Sequence, residues 1–452
     1  MRCLSRCAIG SATWFLLSLT LLAVTACAGE TPVQITPTPA LEVVVFATEA
    51  PTPKSTATQA APAAPTPTAG FGASTAVPPE TSGGQTAAIN RPPDINPLTG
   101  LKVADPAILK RRPIMVRVGN DPGIQQVALE KADIIYEEIV EWWVTRFTAI
   151  YLSQDPEIIA PIRSARLINL QLGPQYQGAL ANSGGSDQVR WELSQSDLVN
   201  LDEFFSPQPY FYRENEGWQT RLAFDAVVAR DYMKSEGLES DVKLRGFVFS
   251  PKVEVSDLPK EAVGDAREII IPYPQQTSEA KWQYDPASGN YLRFTTGEPM
   301  EDFDGNQLTA TNVIIYFAEH QETDIVEDSN GATSIRININ GLGTAWLLRD
   351  GKILKGNWET NGRETPNFIF NDSRPMPFKP GNTWVEVVPL DYQIEIDGVS
   401  HARLSDATGK ANSSSNDETE DEPTVEPAAT TTLTPTPIGA RPAATPTATP
   451  TN

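Results

Sequence analysis

Proline confines the foldable part of this chain. Of its 39 prolines, twelve lie in residues 28–93 and seven in 409–452, two flanks otherwise rich in Thr and Ala and poor in aromatic residues. Segments of that composition bury too little apolar surface to offset the entropy of ordering, so both are expected to be disordered. The remainder, about 310 residues, is enough for one large domain or two of ordinary size. Of the formal charge of −22, the first 27 residues contribute +2, the flanks −2 and −4, and residues 94–408 the other −18. A surface that acidic repels phosphate backbones and anionic headgroups, which argues against nucleic acid as a partner and against a membrane as a direct docking surface.

Membrane attachment is expected from the amino terminus instead. Arg2 and Arg6 precede an apolar run, Trp14 to Val24, that ends in small residues and is too short to span a bilayer. This is the pattern of a cleavable secretory signal. Val24-Thr25-Ala26-Cys27 resembles the bacterial lipobox, in which the cysteine is acylated (with palmitate, for example) and becomes the first residue after cleavage. Residues 1–26 are then the signal peptide, Cys27 the lipidation site and residues 27–93 a tether. Cys3 and Cys7 leave with the signal, so the ectodomain keeps no thiol for a disulfide, a nucleophile or a metal.

The region between the flanks divides by pattern. Within residues 94–250, Ile114–Val118, Asp133–Val140 and Thr145–Leu152 read as strands, and Gly178–Asn182 as a strand of small residues. Leu167–Tyr176 and Gln188–Gln195 read as short helices. Arg221–Glu236 is the strongest helix, with Leu222, Val227, Val228 and Tyr232 available for burial and Gly237 as its cap. After a polar linker at 251–264, residues 265–402 are mostly β. Turns at Asp285–Asn290 and Asp350-Gly351 mark hairpins, and Asn312–Phe317, Ser334–Ile339, Phe368–Phe370 and Thr383–Val388 add strands. The fold class is therefore α+β: a mixed α/β amino-terminal domain, then a mostly antiparallel β domain built as a sandwich or partly closed barrel, then a disordered acidic tail over 403–452.

One constellation suggests chemistry. Arg163, Ser164 and Arg166 precede the turn Gly184-Gly185-Ser186-Asp187. Two guanidiniums at this spacing can converge on a carboxylate or phosphate, and a Gly-rich turn before a helix offers backbone N–H groups to the same anion. The competing reading pairs both arginines with acidic neighbours such as Glu137, Glu138 or Glu141. Asp187 beside Ser186 has no His or Lys to complete a nucleophilic relay, which disfavours serine hydrolysis. Asp302, Asp304 and Asn306 begin like a calcium loop, but Gln307 stands where Gly is required and Val313 where a bidentate Glu belongs. His320 and His401 fall outside any ligand spacing, so no metal and no cofactor is expected. Trp142, Trp143, Trp191 and Trp218 are read as core or domain-interface packing in preference to a carbohydrate platform.

The order of several fragments adds a family. Asn96-Pro97-Leu98-Thr99-Gly100-Leu101, Ala132-Asp133-Ile134-Ile135-Tyr136-Glu137, Pro161-Ile162-Arg163-Ser164-Ala165-Arg166 and Gly184-Gly185-Ser186 are followed by Tyr291-Leu292-Arg293-Phe294, Gly356-Asn357-Trp358 and Pro380-Gly381-Asn382-Thr383-Trp384. In that order they resemble the YerB-like lipoprotein family, whose two domains are of unknown function. The resemblance implies a secreted, lipid-anchored, two-domain protein and brings no established activity. It also implies a His just before the Gly-Gly-Ser segment and a second within a Pro-His-Asn segment. Here those places hold Asn182 and, by a looser alignment, Gln219 to Arg221, so any chemistry resting on the two histidines is lost or replaced. The expected function is that of an extracytoplasmic binding or scaffolding module on the cell membrane, partnered by a small anionic ligand or an envelope protein. The alternative is an envelope enzyme acting on cell-wall glycan or a phosphorylated metabolite in an interdomain cleft.

Overall fold

The computed structural model describes residues 89–405, apart from Gln275 and the side chain of Trp143. The signal sequence, Cys27, the tether and the acidic tail lie outside the described residues.

The first half supplies β1 (Ile114–Gly119), β2 (Ile134–Ile139), β3 (Thr145–Tyr151), helix α1 (Asn169–Tyr176), β4 (Ala179–Asn182), α2 (Asp187–Ser194) and β5 (Val199–Asp202). A ribbon of β6 (Tyr210–Tyr212) and β7 (Leu222–Phe224) leads into α3 (Ala226–Ser235). The second half continues with β8 (Val263–Asp265), β9 (Glu268–Ile271), β10 (Ala280–Asp285), β11 (Asn290–Thr295), β12 (Glu298–Pro299), β13 (Thr309–Ala310) and β14 (Asn312–Val326). It ends with β15 (Thr333–Asn338), β16 (Gly341–Arg349), β17 (Lys352–Thr360), β18 (Asn367–Ile369), β19 (Thr383–Pro389), β20 (Ile394–Ile396) and β21 (Val399–His401).

Twelve strands form one mixed sheet, in the order β18-β17-β16-β14-β19-β2-β3-β1-β4-β5, with β15 added to β14 and β8 to β17. Strands from both halves of the chain meet in it: β19 runs parallel to β14 on one side and to β2 on the other. The second half is therefore not built from antiparallel pairs alone, which corrects the expectation of a sandwich or barrel. The physical reason lies in β14 and β19, whose runs Val313–Ala318 and Trp384–Val388 are buried without alternation. Continuous apolar runs suit central strands covered on both faces. The seven-stranded second sheet, β12-β11-β10-β9-β20-β21 with β13 on β11, is antiparallel throughout.

Each face of the large sheet has its own core. Because successive strand residues point to opposite sides, Ile114, Val116 and Val118 join Ile269, Trp282 and Tyr291 of the second sheet, together with Ala229 and Met233 of α3. Met115, Ile134 and Tyr136 face the other way, toward Leu172 of α1 and Val189 and Leu193 of α2. Helix α3 is shorter than expected. Residues 222–224 pair as β7, and the helix begins after Asp225, whose carboxylate accepts the Val228 N–H at 3.0 Å. That cap sets the helix phase, so Ala226, Ala229 and Met233 are buried while Val227 and Val228 are exposed. Gly237, at φ 68°, ends the helix as expected.

A buried ionic centre ties the halves together. Arg293 on β11 donates to both carboxylate oxygens of Glu137 on β2, at 2.9 and 3.2 Å, and Trp384 on β19 donates to the same carboxylate at 3.1 Å. The guanidinium also lies over the rings of Trp282 and Trp384. Separately, Asp302 accepts from the backbone N–H groups of Asp304 and Asn306, both at 2.9 Å, so the segment resembling a calcium loop closes on itself as a turn.

Candidate functional site

Six strands end at the same edge of the large sheet. β14, β19 and β2 are mutually parallel, β3 runs against both β2 and β1, and β1, β4 and β5 are again parallel. In open sheets of this kind the crevice past the carboxyl ends of the strands is where ligands bind. Asn120-Asp121, Ile139–Glu141, Asn182–Ser186, Asp202–Phe205 and Pro389–Tyr392 all fall there, and β14 runs past its neighbour β19 to carry His320 beyond it.

The predicted residues meet at this edge. The Arg163–Arg166 segment runs beside the Gly-rich turn: the N–H of Ser183 donates to Arg163 O at 3.1 Å and that of Ala165 to Gly184 O at 2.9 Å. Ser164 Oγ donates to Ser183 O at 3.1 Å. Arg163 donates through Nε and Nη2 to Asp121 at 3.0 and 2.7 Å, and through Nη1 to Gln219 O at 2.8 Å. Ser186 caps α2, its hydroxyl accepting the Val189 N–H at 3.4 Å, and Asp187 is exposed in the first turn of that helix.

The chain's own carboxylates engage much of the cluster. Arg166 donates through Nε to Glu141 at 2.8 Å, adds a second bond through Nη2, and its Nη1 lies 3.4 Å from Glu327. Glu327 also accepts the Ser186 N–H at 3.3 Å, and its side chain is only 1% exposed. A guanidinium and a helix N-terminus thus converge on one carboxylate, supplied by the turn between β14 and β15. Of the three acidic neighbours considered as arginine partners, Glu141 takes Arg166 and Arg146, Glu138 takes Arg117, and Glu137 takes Arg293. Burial works to raise the Glu141 pKa, but the Arg166 hydrogen bond and the charges of Arg146 and Arg166 outweigh it and hold that pKa down at about 2. Glu138 goes the other way: burial pushes it up to about 7 despite Arg117. Burial, followed by the charge of Arg166, lowers Arg146 to about 10.

Beside the turn opens a crevice of about 530 Å³, lined by Ser183, Gly184, Arg190, Glu203, Tyr210 and Tyr212 among others. Its rim is aromatic. Phe204 and Phe205 are 76% and 69% exposed, and the Arg190 guanidinium lies 5.7 and 5.4 Å from their ring centres. Trp142, Trp191 and Trp218 are also more than half exposed, which corrects the expectation that they pack in a core or a domain interface. Trp142 turns outward because its backbone is left-handed, at φ 65°.

Comparison with known families follows the two halves. Residues 98–237 match the family model described as "Protein of unknown function (DUF3048) N-terminal domain", and residues 269–385 match its C-terminal counterpart. The chain belongs to the DUF3048 family. Among curated proteins it is similar to "Putative lipoprotein YerB" of Bacillus subtilis (strain 168), with 28% identity over 298 residues, covering 65% of this chain and 86% of that protein. Among solved structures, the crystal structure of the YerB protein from Bacillus subtilis has a TM-score of 0.56 at 25% identity, covering 66% of this chain and 98% of that one. The DUF3048 designation carries no activity.

Both departures from the family resemblance adjoin Arg163 in this DUF3048 member. Asn182 immediately precedes Ser183, which donates to Arg163 O, and Gln219 O accepts from the Arg163 guanidinium. Asn182 is buried, and its N–H donates to the Tyr210 hydroxyl at 2.9 Å. The residues that sequence reasoning missed are Arg190, Glu203, Phe204, Phe205, Tyr210, Tyr212 and Glu327. The one available signal was the density of aromatics in Phe204-Phe205 and Tyr210-Phe211-Tyr212, in a stretch otherwise typical of loops. Among the described residues no three His, Cys, Asp or Glu side chains group as a metal site, and no helix is long and apolar enough to cross a membrane.

Proposed function

We propose that this DUF3048 protein is a lipid-anchored extracytoplasmic binding module whose ligand, a small carboxylate- or phosphate-bearing molecule, sits in the crevice beside the Gly-Gly-Ser turn. The observation that carries this reading is the crevice itself: a volume suited to a small molecule, bordered by the turn on one side and by Arg190 under an exposed aromatic rim on the other. Ser183 and Gly184 of the turn line it, Arg163 and Ser164 are joined to Ser183 by hydrogen bonds, and Arg166 is engaged by Glu141 and Glu327. The two carboxylates in the crevice are themselves engaged. Glu203 accepts from the Ser183 and Tyr212 hydroxyls at 2.5 and 3.1 Å; Asp202 accepts from the Phe204 N–H at 2.9 Å and lies 3.7 Å from Arg190 Nε, so an anionic ligand competes with Asp202 for that guanidinium. The rim favours a scaffolding form of the same role as well, with an envelope protein seated on the exposed, mutually packed rings of Phe204 and Phe205, because exposed aromatic patches mark interaction surfaces.

Anchoring rests on the signal-like leader and Cys27. Acyl chains on that cysteine would hold the protein to the extracytoplasmic face of the cell membrane, with residues 28–93 as spacer. Cys27→Ala is expected to move the protein from membranes to the soluble fraction; unchanged retention overturns the anchor. For the site, titration of the full chain with inorganic phosphate and with acetate is expected to show saturable binding that Arg190→Ala weakens at least tenfold. Absence of saturable binding, or equal affinity in that variant, overturns the crevice.

A further inference from the structure

A second cavity of about 530 Å³ lies at the same sheet edge, past the ends of β19 and β2 and against the extension of β14. Its walls are apolar, including Ile139, Ile335 and Pro389, and two aromatic residues, Trp142 and Tyr392, face onto it. Trp142 is held in place from two sides. Its backbone is in the left-handed region, a conformation that strains a bulky residue, and its indole N–H donates to Asp328 at 2.6 Å. Strain of this kind persists where the surroundings fix a side chain for a purpose.

The polar groups of this cavity are almost all acceptors. Glu322 and Asp391 bring carboxylates, and among the lining residues there is no Lys or Arg. Glu141 also lines it, but its charge is matched by Arg146 and Arg166. His320 Nδ1 lies 3.0 Å from the Ala318 carbonyl oxygen, which can only accept, so Nδ1 carries the hydrogen. Burial depresses the imidazole pKa to about 4, which keeps the ring neutral and leaves Nε2 a bare lone pair; that atom is buried without a hydrogen-bond partner. The Thr333 hydroxyl donates to Glu322 at 2.7 Å. Tyr392 then supplies the one hydroxyl donor left among the lining side chains. A sugar or other polyol needs donors and acceptors in similar number and is poorly matched here. An anion meets two carboxylates and no cation.

We propose that this cavity binds a small organic cation, an ammonium group on an apolar body, whose N–H groups reach Glu322 and Asp391 and whose charge lies against the rings of Trp142 and Tyr392. Ring faces attract such a charge, the more so when it is desolvated, and the exposed carboxylates draw it in from solution. The proposal is independent of the anion crevice, since none of the lining residues is shared.

The test is calorimetric titration of the full-length protein with benzylammonium, with benzyl alcohol as neutral isostere and phenylacetate as anionic one. Benzylammonium is expected to bind at least tenfold tighter than benzyl alcohol, with phenylacetate not bound. The Glu322→Gln/Asp391→Asn double variant alters two exposed side chains, so it is expected to keep the wild-type circular dichroism and melting temperature while losing at least tenfold in benzylammonium affinity. Trp142→Ala should cost a similar factor. Equal binding of the neutral or anionic isostere, unchanged affinity in the double variant, or no benzylammonium binding at millimolar concentration would each overturn the assignment.

Discussion

Glu327 accepts the backbone N–H of Ser186 at 3.3 Å across 141 residues of sequence, so the helix terminus that reads as an anion site is occupied by the protein's own anion. The same carboxylate faces Arg166 at 3.4 Å. Because Glu327 begins the turn between β14 and β15, this contact ties that hairpin to the start of α2.

Glu327→Ala should therefore destabilise the fold by about 3 kcal/mol, since it leaves Glu141 as the sole buried carboxylate facing both Arg166 and Arg146 and takes the acceptor from the Ser186 N–H. It should also turn the vacated position into a site for external anions. Thermal melts in phosphate and in chloride check both effects. The variant is expected to melt lower than the wild type in chloride and to recover part of the loss in phosphate. A variant as stable as the wild type in chloride would show that the contact does no structural work.

Glu386 offers a test in pH. It is fully buried, and its pKa is raised well above the ordinary carboxylate value by burial first and by the charge of Glu137 second. A raised folded-state pKa means that the stabilising contribution is present below the unfolded value and is lost as pH rises through the folded one. Trp282 Nε1 donates to Glu386 Oε1 at 2.7 Å, an acceptor that Gln retains. Urea unfolding between pH 6 and 9 should show Glu386→Gln losing less stability with rising pH than the wild type. Identical slopes would place the titrating group elsewhere.

His320 titrates with the opposite sign. Its pKa is depressed from 6.5 to about 4 by burial, so its contribution is present above pH 6.5 and disappears as pH falls toward 4. By linkage the loss is about 3 kcal/mol. Ring resonances followed by NMR should give a midpoint near 4 for His320, and an ordinary midpoint near 6.5 would contradict the buried, neutral ring.

Gly246 is a backbone requirement. It sits at φ +67°, and a Cβ there would come within 2.0 Å of Pro97 O. Its N–H donates to Thr365 Oγ1 at 2.9 Å, linking the segment after α3 to the second half. Gly246→Ala should cost more than about 2 kcal/mol, combining left-handed strain with a backbone clash. A melting temperature within a degree or two of wild type would refute this.

Local features were the most legible in the sequence. The Asp350-Gly351 turn between β16 and β17, the strands around Ile114, Ile134 and Thr145, and the short helix opening at Asp187 all follow from nearest-neighbour chemistry and hydrophobic period. What stayed hidden was long-range. Nothing near Thr383 says that it will lie beside Ile134, and nothing near Glu327 says that it will meet Ser186 and Arg166. Arg163, Arg166 and the Gly-rich turn, grouped from the sequence, do lie together in the fold. Their partners were only half visible: Glu141 lay close in sequence, whereas Asp121 and Glu327 were brought in by the fold. Trp142 was misread because a helix or strand assignment carries no warning of a left-handed residue.

The position of β19 between β14 and β2 makes the order of synthesis matter. Until residue 389 has been made, β2 keeps one edge of unpaired backbone groups on a strand that is buried on both faces in the finished fold, a template for wrong pairing. A fragment cut at the seam between the two matched regions would carry that open edge permanently. The chain closes its central sheet only when nearly all of its foldable length is present, so its two halves are obliged to reach the native state together.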